Sequence, residues 1–478
     1  MTRRHAAIVL MWTVLFLLTC AMNPVTGKRE LMLVSEQQEI QLGQETDVQI
    51  AQEYGVVADA AVNNYVNGIG QAMCKLTHRP GLEYHFKVLD TPVINAFAVP
   101  GGYIYVTRGI LAYLNDEAEL AGVIGHELGH VNARHTARQM SRVQLAQIGL
   151  GIGMMLSEKL QQYSSLAEIG MSLLFLKFSR DDERQADDLG VEYGSKSDYD
   201  MDRMAAFFET LERLSPSEGT GLPDWFSTHP NPVNRVAAVR AKSAEWRQQL
   251  SFAQYAVKRN EYLKSVNGII FGEDPRQGYV EGNTFYHPSL RFSFPVPAGW
   301  QVNNMASQVQ IAPENGNAAI LLTVAESTSA SQMADAFVQE TGAVVQTREP
   351  LTVNSFQAQR LVSRVLSDAD TLQVMSYFIT KAGMTFALHG LSGRATYSQY
   401  SGLFSQTMNG FKQLDDAAKI NVKPQKLAVR TVSKPAVLRA VFKQYGVADD
   451  KLEDMAIMNG MQLAEIVNAG TLIKIPAK

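Results

Sequence analysis

The rhythm of apolar and polar positions changes several times along these 478 residues. Ser35-x-x-Gln38 has the form of a capping box and predicts a helix from Glu36 to Glu53. Between Asp116 and Gln139, the positions Ala118, Leu120, Ala121, Val123 and Ile124 predict one strongly apolar, buried helix. Leu145 to Phe178 is also apolar-rich, but Ser157-Glu158-Lys159 and Gln161-Gln162 interrupt it before it reaches the length a membrane helix needs. It reads as helices packing on the core, with membrane contact as the alternative. A helix around Val233 to Arg259 closes a first domain, residues 35–262, and the Gly-rich, charged residues 263–284 read as a linker or covering loop. The rhythm then shortens to two. Leu290–Phe294, Val309–Ile311, Ala319–Val324, Ala358–Val362 and Met384–His389 predict strands, and Ser331–Thr341 and Tyr397–Asn409 predict helices, in a domain spanning 285–414. A polar linker, 415–426, precedes a last module, 427–478.

Chemistry concentrates in His126-Glu127-Leu128-Gly129-His130. Residues four apart on a helix share a face, so both imidazoles can bind one metal ion. Glu127 sits beside them, placed to act as a base on a metal-bound water. A catalytic zinc takes three protein ligands and leaves one position open. His135, nine positions after His126, falls about 180° around a continuous helix and reads as a polar or supporting residue rather than a ligand. The metzincin pattern is absent, since Ala133 and Thr136 stand where it needs Gly and His. Downstream, Glu183 and Asp187 are four apart. Glu183 can ligate the metal while Asp187 accepts the free N–H of a ligating histidine. A charged, solvated helix face is the alternative reading of the same spacing.

Four blocks then carry a resemblance: Asn95-Ala96-Phe97-Ala98-Val99-Pro100-Gly101-Gly102-Tyr103-Ile104-Tyr105; Glu119-Leu120-Ala121 running into His126–Val131; Ser179-Arg180 with Glu183 and Asp187; and Ser227-Thr228-His229-Pro230 with Arg235. In order and spacing they resemble the HtpX/BepA-type zinc metallopeptidases, in their soluble periplasmic branch, over about residues 35 to 262. The resemblance implies one zinc per chain, held by His126, His130 and Glu183, with Glu127 as general base. It implies that Asn95 to Tyr105, including Asn95, Ala96 and Phe97, is an edge strand that holds substrate in extended form. It implies that His229 faces the metal and supports the oxyanion, against a plain reading of His-Pro-Asn-Pro as a turn. Arg235 would position His229 or nearby carboxylates, and Asp187 would support a ligand.

The N-terminus bears on compartment. Arg3-Arg4 precedes thirteen uncharged residues, Ala6 to Leu18, too few for a comfortable membrane span. Leu17-Leu18-Thr19-Cys20 resembles a lipobox, so residues 1–20 read as an export signal with Cys20 lipidated in a bacterial periplasm. Cleavage after Ala21, giving a soluble periplasmic protein, is the alternative. Only Cys74 would remain besides Cys20, so a core rather than disulfides holds the fold. The net charge of −4 and the lack of a basic stripe argue against nucleic acid.

Residues 285–414 resemble the PsbP/Mog-like fold, and 427–478 resemble a LysM domain in their order strand, helix, helix, strand. The fold class expected is therefore α+β and multidomain: a mainly helical zincin-like catalytic domain with a small edge-strand sheet, a PsbP/Mog-like α+β domain, and a LysM-like βααβ module. On this layout a chain ending near Leu414 should fold and keep its chemistry. Expected partners are unfolded or misassembled envelope proteins, peptidoglycan through the C-terminal module, and the membrane only through the lipid anchor. Two other classes stay open. A non-catalytic holdase would not need Glu127. A cell-wall hydrolase would need its C-terminal module to bind glycan.

Overall fold

The Ser35 hydroxyl accepts the Gln38 N–H, and Gln38 returns the bond to the Ser35 N–H, so the capping box forms and starts helix Glu36–Tyr54. The computed structural model describes residues 20–149, 177–214, 225, 228–230, 234–326, 329–366 and 371–477. The leader through Thr19, most of the apolar segment Leu145 to Phe178, and Ser227 lie outside the described residues. Among the described residues no helix is long and apolar enough to cross a membrane.

The chain forms two compact units. One comprises the residues up to Ala51, Gly55–Gly272 and Gln425–Ala477; the other is in the main Glu273–Pro424. The first unit is built around the motif helix, Glu117–Asn132, every residue of which is buried. Against it lies a three-stranded sheet in the order His85–Leu89, Tyr103–Thr107, Ala96–Val99, the first pair parallel and the second antiparallel. Of the segment Asn95 to Tyr105 expected as an edge strand, Ala96–Val99 is an edge, Asn95 precedes it, and Tyr103–Thr107 is the central strand. Gly101 and Gly102 turn the chain between the antiparallel pair at φ 83 and 95, and a Cβ on Gly102 would sit 2.4 Å from the Glu83 carbonyl oxygen.

Two expected helices are each broken. Asp116 caps the motif helix by accepting the Glu119 N–H, but the helix stops at Asn132 instead of running to Gln139. Arg134 takes a left-handed φ of 55, and a second helix, His135–Gly149, starts after it. The buried Arg134 guanidinium fixes this turn, donating to Glu39 at 2.8 Å and to the Val34 carbonyl at 2.9 Å. The stretch Val233 to Arg259 likewise divides into Arg235–Leu250 and Arg259–Val266, with left-handed Ser251 and Lys258 between.

In the second unit the expected strands and both helices are present. The antiparallel sheet runs Val344–Val353, Phe356–Leu366, Thr371–Lys381, Met384–Gly393, Ala318–Glu326, Gln308–Pro313, Trp300–Asn304. Residues 263–284 are not a linker. Val266 and Ile269 join the first core, while Tyr279–Glu281 is a strand of the second unit.

The largest correction concerns the C-terminal segment. It has the expected order, with strand Lys426–Thr431 paired to Leu472–Ala477 around helices Leu438–Gln444 and Leu452–Met458. It is nevertheless part of the first unit. Leu427, Phe442, Met458 and Ile473 share one core with Val106, Ile110 and Leu111. Lys474 is fully buried and donates to the carbonyls of Ala112 at 2.7 Å and Leu114 at 2.6 Å. Arg259 joins the Asn115 and Leu472 carbonyls at 2.9 and 3.2 Å. A chain ending near Leu414 would therefore expose the core instead of folding intact.

Removing residues 425–478 should abolish the cooperative melt of the first unit. Lys474→Met, which orphans two buried carbonyls, should cost about 2–4 kcal/mol. Calorimetry of both chains measures this, and an unchanged melt of the truncated chain would restore an independent module.

Candidate metal centre

The site is assembled from two helices that approach closely because neither carries a side chain at the crossing. A Cβ on Gly129 would lie 2.8 Å from the Ala186 carbonyl oxygen, and one on Gly190 would lie 2.9 Å from the His126 nitrogen. The second helix, Arg180–Lys196, begins in its own capping box, Ser179 with Asp182. Its register then turns Glu183 and Asp187 toward the motif histidines, so these two carboxylates are buried and not a solvated face.

One ligand atom each from His126, His130, Glu183 and His229 falls within 4.8 Å of the others, and all four residues are buried. His126 Nε2 lies 3.1 Å from His130 Nε2 and 3.6 Å from Glu183 Oε2, and His130 Nε2 lies 3.5 Å from Glu183 Oε1. Ligand atoms around a tetrahedral zinc at ~2.1 Å stand ~3.4 Å apart, so this spacing fits. His229 Nδ1 is 3.2 Å from both His126 Nε2 and Glu183 Oε1. Its ring stacks on Trp225 at 4.5 Å.

The surroundings favour the same ion. The His126 Nδ1–H donates to Asp187 at 2.9 Å, which turns the Nε2 lone pair into the cluster. Arg235 clamps Asp187 through two bonds, 2.9 and 2.7 Å, and lies against Phe208, so it serves carboxylates rather than His229. Burial holds His126 well below its usual range and takes His130 down to about 4, keeping both rings neutral. Burial pushes Glu183 up, but the His229 charge and the imidazoles of His130 and His229 close beside it outweigh this and leave it well below the usual carboxylate range. Neutral imidazoles beside an ionised carboxylate are a zinc donor set.

Glu127 stands apart from the donors. Both its oxygens are buried and, among the described residues, no side chain donates to them; His229 Nε2 is 3.6 Å from Oε1. Burial above all pushes its pKa up to about 7. The edge strand passes this carboxylate. Asn95 and Thr107 form a hydrogen-bonded pair, so by alternation Phe97 and Val99 also bond inward, and Ala96 and Ala98 turn their N–H and C=O groups outward. The Ala98 N–H is directed at Glu127. Trp225 ties the His229 segment to the residues just before this strand, its backbone N–H donating to the Ile94 carbonyl at 3.2 Å.

Sequence reasoning missed three neighbours. Trp225 and Phe178 flank the histidines, with Phe178 4.1 Å from the His130 ring. Gln185 lies two positions from either carboxylate, where helical spacing points it elsewhere, yet it reaches His135. Cys20 lies in a short strand, Cys20–Met22, paired with Arg29–Leu31.

Residues 60–243 match the model of Peptidase family M48. The chain is 27% identical over 220 residues to the beta-barrel assembly-enhancing protease of Escherichia coli, covering 44% of this chain and 45% of that one. It is 32% identical over 193 residues to the mitochondrial metalloendopeptidase OMA1 of Arabidopsis thaliana, covering 40% and 38%. The chain thus spans about half the length, or less, of these curated relatives. The solution structure of cyanobacterial PsbP from Synechocystis is similar at 14% identity and a TM-score of 0.25, covering 28% of this chain and 96% of that one.

Gly190→Ala should force the two helices apart at a cost of about 1–3 kcal/mol and weaken metal binding with it. Gly68→Ala, on an open face of helix Ala60–Cys74, meets nothing within 4 Å and should stabilise by up to ~1 kcal/mol. Paired thermal melts with and without zinc compare the two. Equal effects would mean the helix crossing does not set the site.

Proposed function

We propose that this chain, whose residues 60–243 match the model of Peptidase family M48, is a zinc-dependent metalloendopeptidase. Its substrates on this reading are unfolded or misassembled proteins of the cell envelope. The observation that carries the reading is the convergence of two neutral imidazoles and an ionised carboxylate beside a buried Glu127 to which no described side chain donates.

Zinc held by His126, His130 and Glu183 would polarise the scissile carbonyl and make water acidic enough to attack at neutral pH. The remaining work belongs to the protein. An extended peptide adds antiparallel to Ala96–Val99, bonding to the outward groups of Ala96 and Ala98, which brings its carbonyl past Glu127. Glu127 takes a proton from the attacking water and delivers it to the leaving amine, so no covalent bond to the enzyme forms. His229, whose Nε2 lies 3.6 Å from Glu127, donates to the carbonyl oxygen as that oxygen gains charge. Asp187 and Arg235 hold His126 in the tautomer the metal needs. An edge strand reads backbone and not side chains, which suits substrates defined by being unfolded.

The compartment is part of the same proposal: export through residues 1–20 and anchoring by lipid on Cys20. The C-terminal segment, as a LysM-like element, would be the contact for peptidoglycan, which pull-down of the full chain on purified sacculi measures.

Glu127→Gln should keep about one zinc per chain and lose cleavage of unfolded casein, because a base is removed but no ligand is. His126→Ala should lose the zinc. His229→Ala should retain zinc and lower kcat by ~10²-fold or more. Loss of zinc from Glu127→Gln as complete as from His126→Ala would overturn these roles. In cells given labelled palmitate, the wild-type chain should take up label and Cys20→Ala should not; label in neither would mean soluble export.

A further inference from the structure

The two motif histidines are supported differently. Behind His126 stands a carboxylate; behind His130 stands another histidine. The left-handed Arg134 folds the chain back after the motif helix, so that His135, instead of lying half a turn away, brings its Nδ1 to 2.9 Å from His130 Nδ1. The two rings meet edge to face with centroids 4.9 Å apart, and Phe178 covers both. On its far side His135 Nε2 lies 3.0 Å from Gln185 Oε1. His135 is buried, so neither nitrogen is exchanging partners with solvent.

Only one arrangement of protons satisfies this chain of contacts and also leaves His130 able to bind a metal. His130 faces the cluster with Nε2, 3.1 Å from His126 Nε2. If that atom is a lone pair, its proton is on Nδ1, and His135 Nδ1 must accept it. His135 then carries its own proton on Nε2 and donates it to Gln185 Oε1. Helix Arg180–Lys196 therefore supplies a ligand, Glu183, and a support for each histidine: Asp187 directly and Gln185 through His135.

We propose that His135, held by Gln185, is a positioning residue that accepts the Nδ1 proton of His130 and so fixes the tautomer that presents Nε2 to the metal. This rests on the zinc site proposed above. The group that accepts from His130 is itself an uncharged imidazole, and the carboxylate behind it, Asp182, stands 3.8 Å from His135 Nε2, next to the Gln185 amide.

The test is zinc affinity, read by competition with a chromophoric chelator, together with the melting temperature of the zinc-free chain. His135→Leu should weaken zinc about 10–100-fold, the range for loss of an outer-shell partner, with the zinc-free melt little changed. His135→Asn places an amide oxygen near the Nδ1 position and should restore most of the affinity. Unchanged affinity in His135→Leu, or equal losses in Leu and Asn, would overturn the proposal. If His135→Leu fails to fold, Gln185→Leu carries the test: it leaves the ring in place but removes the acceptor, and unchanged affinity there overturns the proposal as well. His126→Ala is the separate control. If it binds zinc as the wild type does, the zinc site itself is misassigned; if it does not, a failure of the His135 variants falls on the positioning role alone.

Discussion

Gly122, Gly125 and Gly129 interrupt a helix of sixteen residues, and the whole site depends on the closeness they permit. Each costs the helix roughly 1 kcal/mol against alanine in intrinsic propensity. In exchange the backbone of Gly125 meets Gly190, and that of Gly129 meets Ala186, at distances no Cβ would allow. Glu183 and Asp187 have short side chains. They reach His126 and His130 only because the helix that carries them lies this near. Zinc geometry tolerates little slack, so the spacing of the crossing sets the spacing of the donors.

A helix so poor in its own propensity must be held by its surroundings, and polar side chains with buried partners hold both ends. At the N-terminal end Arg203 bonds Asp116 at 2.6 Å and Glu119 at 2.8 Å, and Lys474 caps the carbonyls just upstream. At the C-terminal end Arg134 and Arg79 enclose Glu39. Buried pairs of this kind add little net stability over apolar residues, but breaking one is costly. They therefore act as position markers. The Arg134–Glu39 pair fixes the turn that delivers His135 to His130, and the Lys474 contacts fix where the motif helix begins.

This explains which features were legible in the sequence. His126 with His130, Glu183 with Asp187, and the Ser35 capping box are all relations within one helical turn, and helical periodicity alone reports them. The edge strand and its Gly-Gly turn were legible too, because positive φ requires glycine locally. What escaped depends on contacts distant in sequence. Nothing near Arg134 breaks a helix; its left-handed turn exists because Glu39, 95 residues earlier, receives its guanidinium. Gln185 points away from the ligand face until His135 is folded back to meet it. Strand Val344–Val353 was missed because it lies at a sheet edge with most residues exposed, so alternation of apolar positions is weak there. Its neighbour Thr371–Lys381 was missed for the opposite reason, being buried on both faces along most of its length.

The C-terminal segment shows the limit of reading domains as consecutive blocks. The polar, Pro-containing residues 415–426 look like a linker, and composition says nothing about where a strand goes after it. The structure shows the chain leaving the first unit near Gly272 and re-entering at Gln425. The exit and the return are hydrogen-bonded neighbours, Phe271 N–H to the Gln425 carbonyl at 2.9 Å and Leu427 N–H to the Ile269 carbonyl at 2.8 Å. The second unit is thus an insertion whose two ends meet at one place in the first. From there strand Leu472–Ala477 runs beside Lys426–Thr431 and carries Lys474 to the carbonyls of Ala112 and Leu114, immediately before the motif helix. Strand Leu472–Ala477 therefore helps to define the start of the helix that holds the candidate zinc ligands, and the first unit needs residues from both sides of the insertion.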